Sequence, residues 1–71
     1  MVSLQAYVNG AAVNVSPGGT ALDAVRAADP SAAEAVTRQE MVITDSRGLP
    51  TTPETPVRWG SIFRLIPARP R

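Results

Sequence analysis

The 71-residue chain contains no cysteine and no histidine. It therefore has no disulfide, no thiolate nucleophile and no imidazole, which removes iron–sulfur, thiolate-zinc and histidine-based metal sites. Lysine is also absent: all seven cations are arginine, so no side-chain amine is available for acylation. Together with the abundant alanine, this matches the coding bias of a GC-rich genome. Aromatic residues are nearly missing, with one Trp, one Tyr and one Phe, too few to build a base-stacking platform. No run approaches the roughly 18 apolar residues of a membrane span. The first residues lack the basic segment and apolar core of a signal peptide, and a cytoplasmic protein without a membrane partner is expected. The six acids are scattered rather than clustered, so no metal and no cofactor is expected.

Net charge is +1, too small to imply a nucleic-acid partner. Its distribution is uneven. No side-chain charge precedes Asp23, whereas Arg58, Arg64, Arg69 and Arg71 follow the last acid, Glu54. The chain ends as a basic arm on a nearly neutral body.

The strongest local pattern is at the start. Val2, Leu4, Ala6 and Val8 alternate with Ser3, Gln5 and Tyr7, the period-two signature of a strand with one buried face. Asn9-Gly10 suits a type I′ turn because both residue types tolerate positive φ. Ala11, Val13 and Val15 then continue the alternation, which predicts a hairpin over 2–15. Ser16-Pro17-Gly18-Gly19 stops the second strand. Thr20, with Asp23 three residues on, forms an approximate capping box. Leu22, Val25 and Ala28 at helical spacing give the helix an apolar stripe for the sheet. Asp29-Pro30 ends it. Ser31 with Glu34 is a second capping signature, predicting a short helix over 32–38 or a bent continuation of the first.

Met41 to Thr44 reads as a third strand. Asp45 to Gly48 is a turn, and Leu49 opens a short return strand that Pro50 and Pro53 keep at an edge. The stretch 51–56 is a proline-rich loop and Arg58-Trp59-Gly60-Ser61 a turn. Ile62 to Pro67 forms the last strand. Hairpin, crossover helix and later strands define an α+β domain over 1–67, with 68–71 as a flexible basic tail. The last strand is expected beside the first, in parallel, at the centre of a mixed four- to five-stranded sheet. That is the ubiquitin-like β-grasp arrangement, with one main helix and room for a short second one.

Two segments resemble the ThiS/MoaD family of sulfur-carrier proteins. One is Val8-Asn9-Gly10 leading through Pro17-Gly18-Gly19-Thr20 into Leu22. The other runs from Thr55-Pro56-Val57 through Gly60 to Phe63-Arg64-Leu65-Ile66-Pro67. The resemblance implies the β-grasp fold and an outer sheet face that docks partners. Family members end in Gly-Gly, a slim tail suited to adenylation of the terminal carboxylate. Here Ala68-Arg69-Pro70-Arg71 stands in its place, and proline and arginine fit a narrow channel poorly. The only Gly-Gly, Gly18-Gly19, precedes the helix and lacks the lysine and spacing of a phosphate loop.

No residue pattern points to an enzyme: Ser16 and Thr20 have no base to activate them. The expected function is a small non-catalytic module with an unidentified protein partner. Its candidate contact residues are Trp59, Ile62, Arg64, Ile66, Arg69 and Arg71. Trp59, in a turn, either anchors an interface or covers the rim of the core. Ile62, Arg64 and Ile66 point away from the helix if Phe63 and Leu65 face it. The arginines either pair with phosphate or form a solvated tail. Two alternatives follow from the resemblance and fold: a sulfur carrier or conjugated modifier, and an RNA-associated β-grasp accessory domain.

Overall fold

The computed structural model describes residues 3–68. Two strands, β1 (Leu4–Val8) and β2 (Ala11–Val15), form the expected hairpin. Asn9 and Gly10 connect them at φ 52° and 85°, the two positive values that a type I′ turn requires. The expected pairing at Val2 lies outside the described residues. Helices α1 (Ala21–Ala28) and α2 (Pro30–Thr37) follow, then β3 (Met41–Thr44) and β4 (Ile62–Pro67). The sheet order is β2-β1-β4-β3. Its two outer pairs are antiparallel and its central pair, β1 with β4, is parallel. The chain is thus a small α+β domain with a four-stranded mixed sheet and two helices.

Three expectations needed correction. The second helix is capped by Asp29, not Ser31. The Asp29 carboxylate accepts from the Ser31 amide at 3.0 Å, and Pro30 occupies the first helical position, where its missing N–H costs nothing. One residue therefore ends α1 and starts α2. Second, the return strand at Leu49 reduces to a single bridge between Thr44 and Pro50, because Pro50 and Pro53 cannot donate to a ladder. Third, Ala28 is exposed; α1 buries Ala21, Ala24 and Val25, with Leu22 packed at the margin.

The core is built largely from small side chains. Ala6, Ala21, Ala24 and Ala33 are fully or almost fully buried beside Val8, Val15, Val25, Ile43, Val57 and Phe63. Alanines on both the helix and the sheet let the two layers approach closely, at the cost of less apolar area per residue. Modest stability follows for so small a domain.

The N-terminus of α1 shows how the proline-rich loop is ordered. Thr20 and Asp23 close a capping box through bonds of 3.0 and 3.3 Å. The Ala21 and Leu22 amides donate to the carbonyls of Thr55 and Pro53 at 2.8 and 3.0 Å. The orphan donors of the first turn are thereby consumed within the fold, and none is left for an anion. The Gly18-Gly19 pair is structural. A Cβ on Gly19 would stand 2.3 Å from Val15 Cγ1, while Gly18 has open space but a φ of +89°.

Asn9 ties the hairpin to the last strand. Its side-chain Oδ1 accepts from the Leu65 amide at 3.0 Å, across 56 residues of sequence. Asn9→Ala loses this acceptor and places a Cβ-bearing residue without a local side-chain bond at positive φ. A loss of about 2 kcal/mol is expected from the two effects together. Asn9→Asp keeps the acceptor and is expected to stay close to wild type, while Asn9→Gly recovers only the backbone part. Gly19→Ala is expected to cost about 1–3 kcal/mol by overpacking against Val15. Urea denaturation of the four variants measures all these differences.

Candidate functional site

The faces of the sheet follow from strand register. Val8 pairs with Phe63 and Ile43 with Leu65, and all four lie on the helix side. Alternation then sends Tyr7, Ile62, Arg64, Ile66 and Val42 to the opposite face. Register makes them neighbours there: Tyr7 is opposite Ile62, Thr44 opposite Arg64, and Val42 opposite Ile66. The outer face of β4 therefore carries two exposed isoleucines, Ile62 at 43% and Ile66 at 46%, with the Arg64 side chain between them. Tyr7 and Val42 flank the pair, each half-buried.

Tyr7 and Val42 were not singled out by sequence reasoning. Their facing was legible from alternation with buried neighbours. That they stand beside Ile62 and Ile66 was not, because strand neighbours 55 and 24 residues apart are set only by register.

Trp59 sits in a tight turn leading into β4. The Ser61 amide donates to the Arg58 carbonyl at 3.0 Å, and the Arg58 amide to Ser61 Oγ at 2.8 Å. The Gly60 amide then reaches the Gln5 carbonyl at 2.8 Å, docking the turn on β1. Gly60 needs its positive φ of 83° for this. The indole above it is 70% exposed, so it does not serve as a cover for the core. Of the other candidates, Arg69 and Arg71 lie outside the described residues. Ala68 is still tied in, its amide donating to Glu40 at 2.9 Å.

Electrostatically the face is basic. The ion pairs among the described residues join Arg26 to Asp23, Arg38 to Glu40 and Arg47 to Asp45. Arg58 and Arg64 have no acidic partner within this set. Thr44 is the one buried polar side chain among the described residues, and its hydroxyl donates to the Arg64 carbonyl at 3.3 Å. No group of three metal-ligating side chains occurs among the described residues.

A separate polar knot lies at the β3 end of the sheet. The Asp45 carboxylate accepts from the amides of Leu49 at 3.0 Å and Arg47 at 2.8 Å, and pairs with the Arg47 guanidinium. The Leu49 amide above all, then Arg47, holds this carboxyl below its ordinary value. The knot closes the turn that leads into the proline-rich loop.

No protein-family model matches the chain, and neither a curated protein nor a solved structure matches it. No helix among the described residues is long and apolar enough to cross a membrane.

The Asp45 knot generates a pH dependence with a defined sign. A carboxyl with a depressed folded value stabilises fully above the ordinary aspartate range of about 3.9. That contribution drains away as pH falls through the lower folded value. The Leu49 and Arg47 amide resonances are expected to move together with one midpoint below that range. Asp45→Asn is expected to abolish the titration while leaving the β1–β2 hairpin resonances in place; a two-dimensional amide spectrum followed against pH reads both.

Proposed function

We propose that the chain is a β-grasp domain acting as a non-catalytic protein-interaction module, and that it docks its partner through the outer face of the sheet. The observation that carries this reading is the composition of that face. Ile62 and Ile66 are exposed on one strand, Arg64 lies between them without an acidic partner among the described residues, and Trp59 stands open at the strand's entrance. Interfaces draw much of their energy from a few aromatic, arginine and aliphatic anchors surrounded by neutral contacts. Scattered single apolar residues are ordinary on a protein surface. Here they share one strand face, each with an apolar neighbour, Tyr7 beside Ile62 and Val42 beside Ile66, and Arg64 lies between the two pairs.

The β-grasp reading rests on the same strand order that the sequence predicts, with a parallel central pair and the helices on one side. The ThiS/MoaD likeness, carried by the Asn9-Gly10 hairpin and the last strand, favours the same fold. A nucleic-acid role draws less support, since net charge is +1 and β4 carries a single arginine, Arg64.

A Trp59→Glu, Ile66→Glu double variant tests the reading. Both positions are exposed, so the fold is expected to keep its stability within about 0.5 kcal/mol. Immobilised wild type should retain a specific host protein through gentle washing and release it under denaturing conditions. The double variant should lose at least about 90% of it, while Arg26→Glu on the helix side retains it. Equal retention by the folded double variant would overturn the proposal.

A further inference from the structure

The two edges of the sheet are finished differently. At β3 the outward backbone is occupied: the Thr51 amide donates to the Ile43 carbonyl at 2.8 Å and the Asp45 amide to Leu49 at 2.9 Å. Pro50 and Pro53 follow there, and the Asp45–Arg47 ion pair flanks them. Prolines, charges and a covering segment are the usual means by which an edge is kept from pairing with another chain.

At β2 none of these devices is present. The strand is five residues, Ala-Ala-Val-Asn-Val, with no proline and no charge. Its outward groups can be identified from the hydrogen bonding of β1. Tyr7 and Asn9 donate to β4, and Gln5 accepts from Gly60. Within a strand, alternate residues direct their backbone groups to opposite sides. The groups of Ala6 and Val8 therefore serve β2, where they meet Val13 and Ala11. This leaves the N–H and C=O of Ala12 and Asn14 pointing away from the sheet. Among the described residues no backbone or side-chain group bonds to them, and both residues are exposed.

We infer that β2 is a self-association edge, at which a second copy of this chain adds its own β2 in antiparallel sense. Three features favour a second copy as the occupant. An antiparallel strand pairs with itself about a two-fold axis, here through Val13, so that Ala12 of each copy exchanges both backbone bonds with Asn14 of the other. The register also keeps the faces matched: Val13 meets Val13 on the helix side, and Ala12 meets Asn14 on the outer side. Finally, no side-chain charge precedes Asp23, so the strand itself sets no like charges against those of a second copy. A basic or acidic peptide would find no complementary charge on the strand. The product is a continuous eight-stranded sheet with both helix layers on one side and both Ile62–Ile66 faces on the other.

Association through a few backbone bonds and little apolar area is weak, with an expected Kd between roughly 10 µM and 1 mM. Sedimentation equilibrium of the full chain is expected to show a mass rising from one chain toward two across that range. In parallel, the Ala12 and Asn14 amide resonances should shift with concentration while the β3 amides do not. Ala12→Lys with Asn14→Lys keeps every backbone group and sets like charges opposite one another. It is expected to weaken association at least about 10-fold at low salt. Asn14→Pro, which deletes an outward donor, should do the same. The Trp59→Glu, Ile66→Glu variant should associate as wild type, which keeps this edge separate from the docking face. A wild-type mass of one chain at about 1 mM, a dimer whose Ala12 and Asn14 amides do not respond, or a lysine variant that associates normally would each overturn the inference.

Discussion

The sheet is organised by the contact between β1 and β4, strands that stand near opposite ends of the sequence and lie side by side and parallel at its centre. Bonds beyond its own two-pair ladder reinforce it. Tyr7 and Asn9 donate to Ser61 and Phe63, Gly60 donates to Gln5, and Leu65 donates to the Asn9 side chain. Each joins residues more than fifty positions apart. Closing so long a loop costs only slightly more than closing one half its length, about 0.6 kcal/mol per doubling. The central pair can therefore be held by a short ladder, provided that the hairpin and the helices bury its inner face. Asn9 links these two requirements: its backbone makes the turn and its side chain extends the ladder.

With that pair in place, the segment between β3 and β4 connects two neighbouring strands with little regular structure of its own. It is rich in proline, so few of its amides donate to a strand. Its carbonyls are used instead: Pro53 and Thr55 accept from the first turn of α1, and Val57 donates to Gly19 while its side chain is buried. The helix start and the loop satisfy each other's backbone. A stretch that looks unstructured by composition is thus ordered by the unsatisfied end of a helix.

The two faces and two edges of the sheet then acquire distinct characters. The inner face meets small helix residues and forms a core of modest size. The outer face carries isoleucine and arginine, and an exposed tryptophan stands in the turn before β4. One edge is closed by prolines and an ion pair, and the other ends in open, uncharged backbone. Nothing in the inner layer requires the outer one to be apolar, since Ile62 and Ile66 contribute no buried core volume. Their side chains can be exchanged without disturbing the packing beneath.

Much of this organisation was legible beforehand. Alternation in 4–8 and 11–15, the Asn9-Gly10 turn and the Thr20–Asp23 capping box are short-range signals, and each physical cause lies within a few residues of its effect. The facing of Phe63 and Leu65 against Ile62, Arg64 and Ile66 follows from the same period. The cap at Asp29 was misplaced because two capping-type residues stand close together, and Pro30 favours the earlier one by occupying the first helical position. Residue types alone determined which side-chain chemistries the chain lacks, where its strands and turns begin, and which residues share a face. Only the tertiary structure decided that Tyr7 and Val42 border the isoleucines, that Asn9 reaches Leu65, and that one edge is closed while the other is open. Periodicity specifies the side of a strand on which a residue lies. Which strand lies alongside is settled by packing across the whole chain, and no local pattern encodes it.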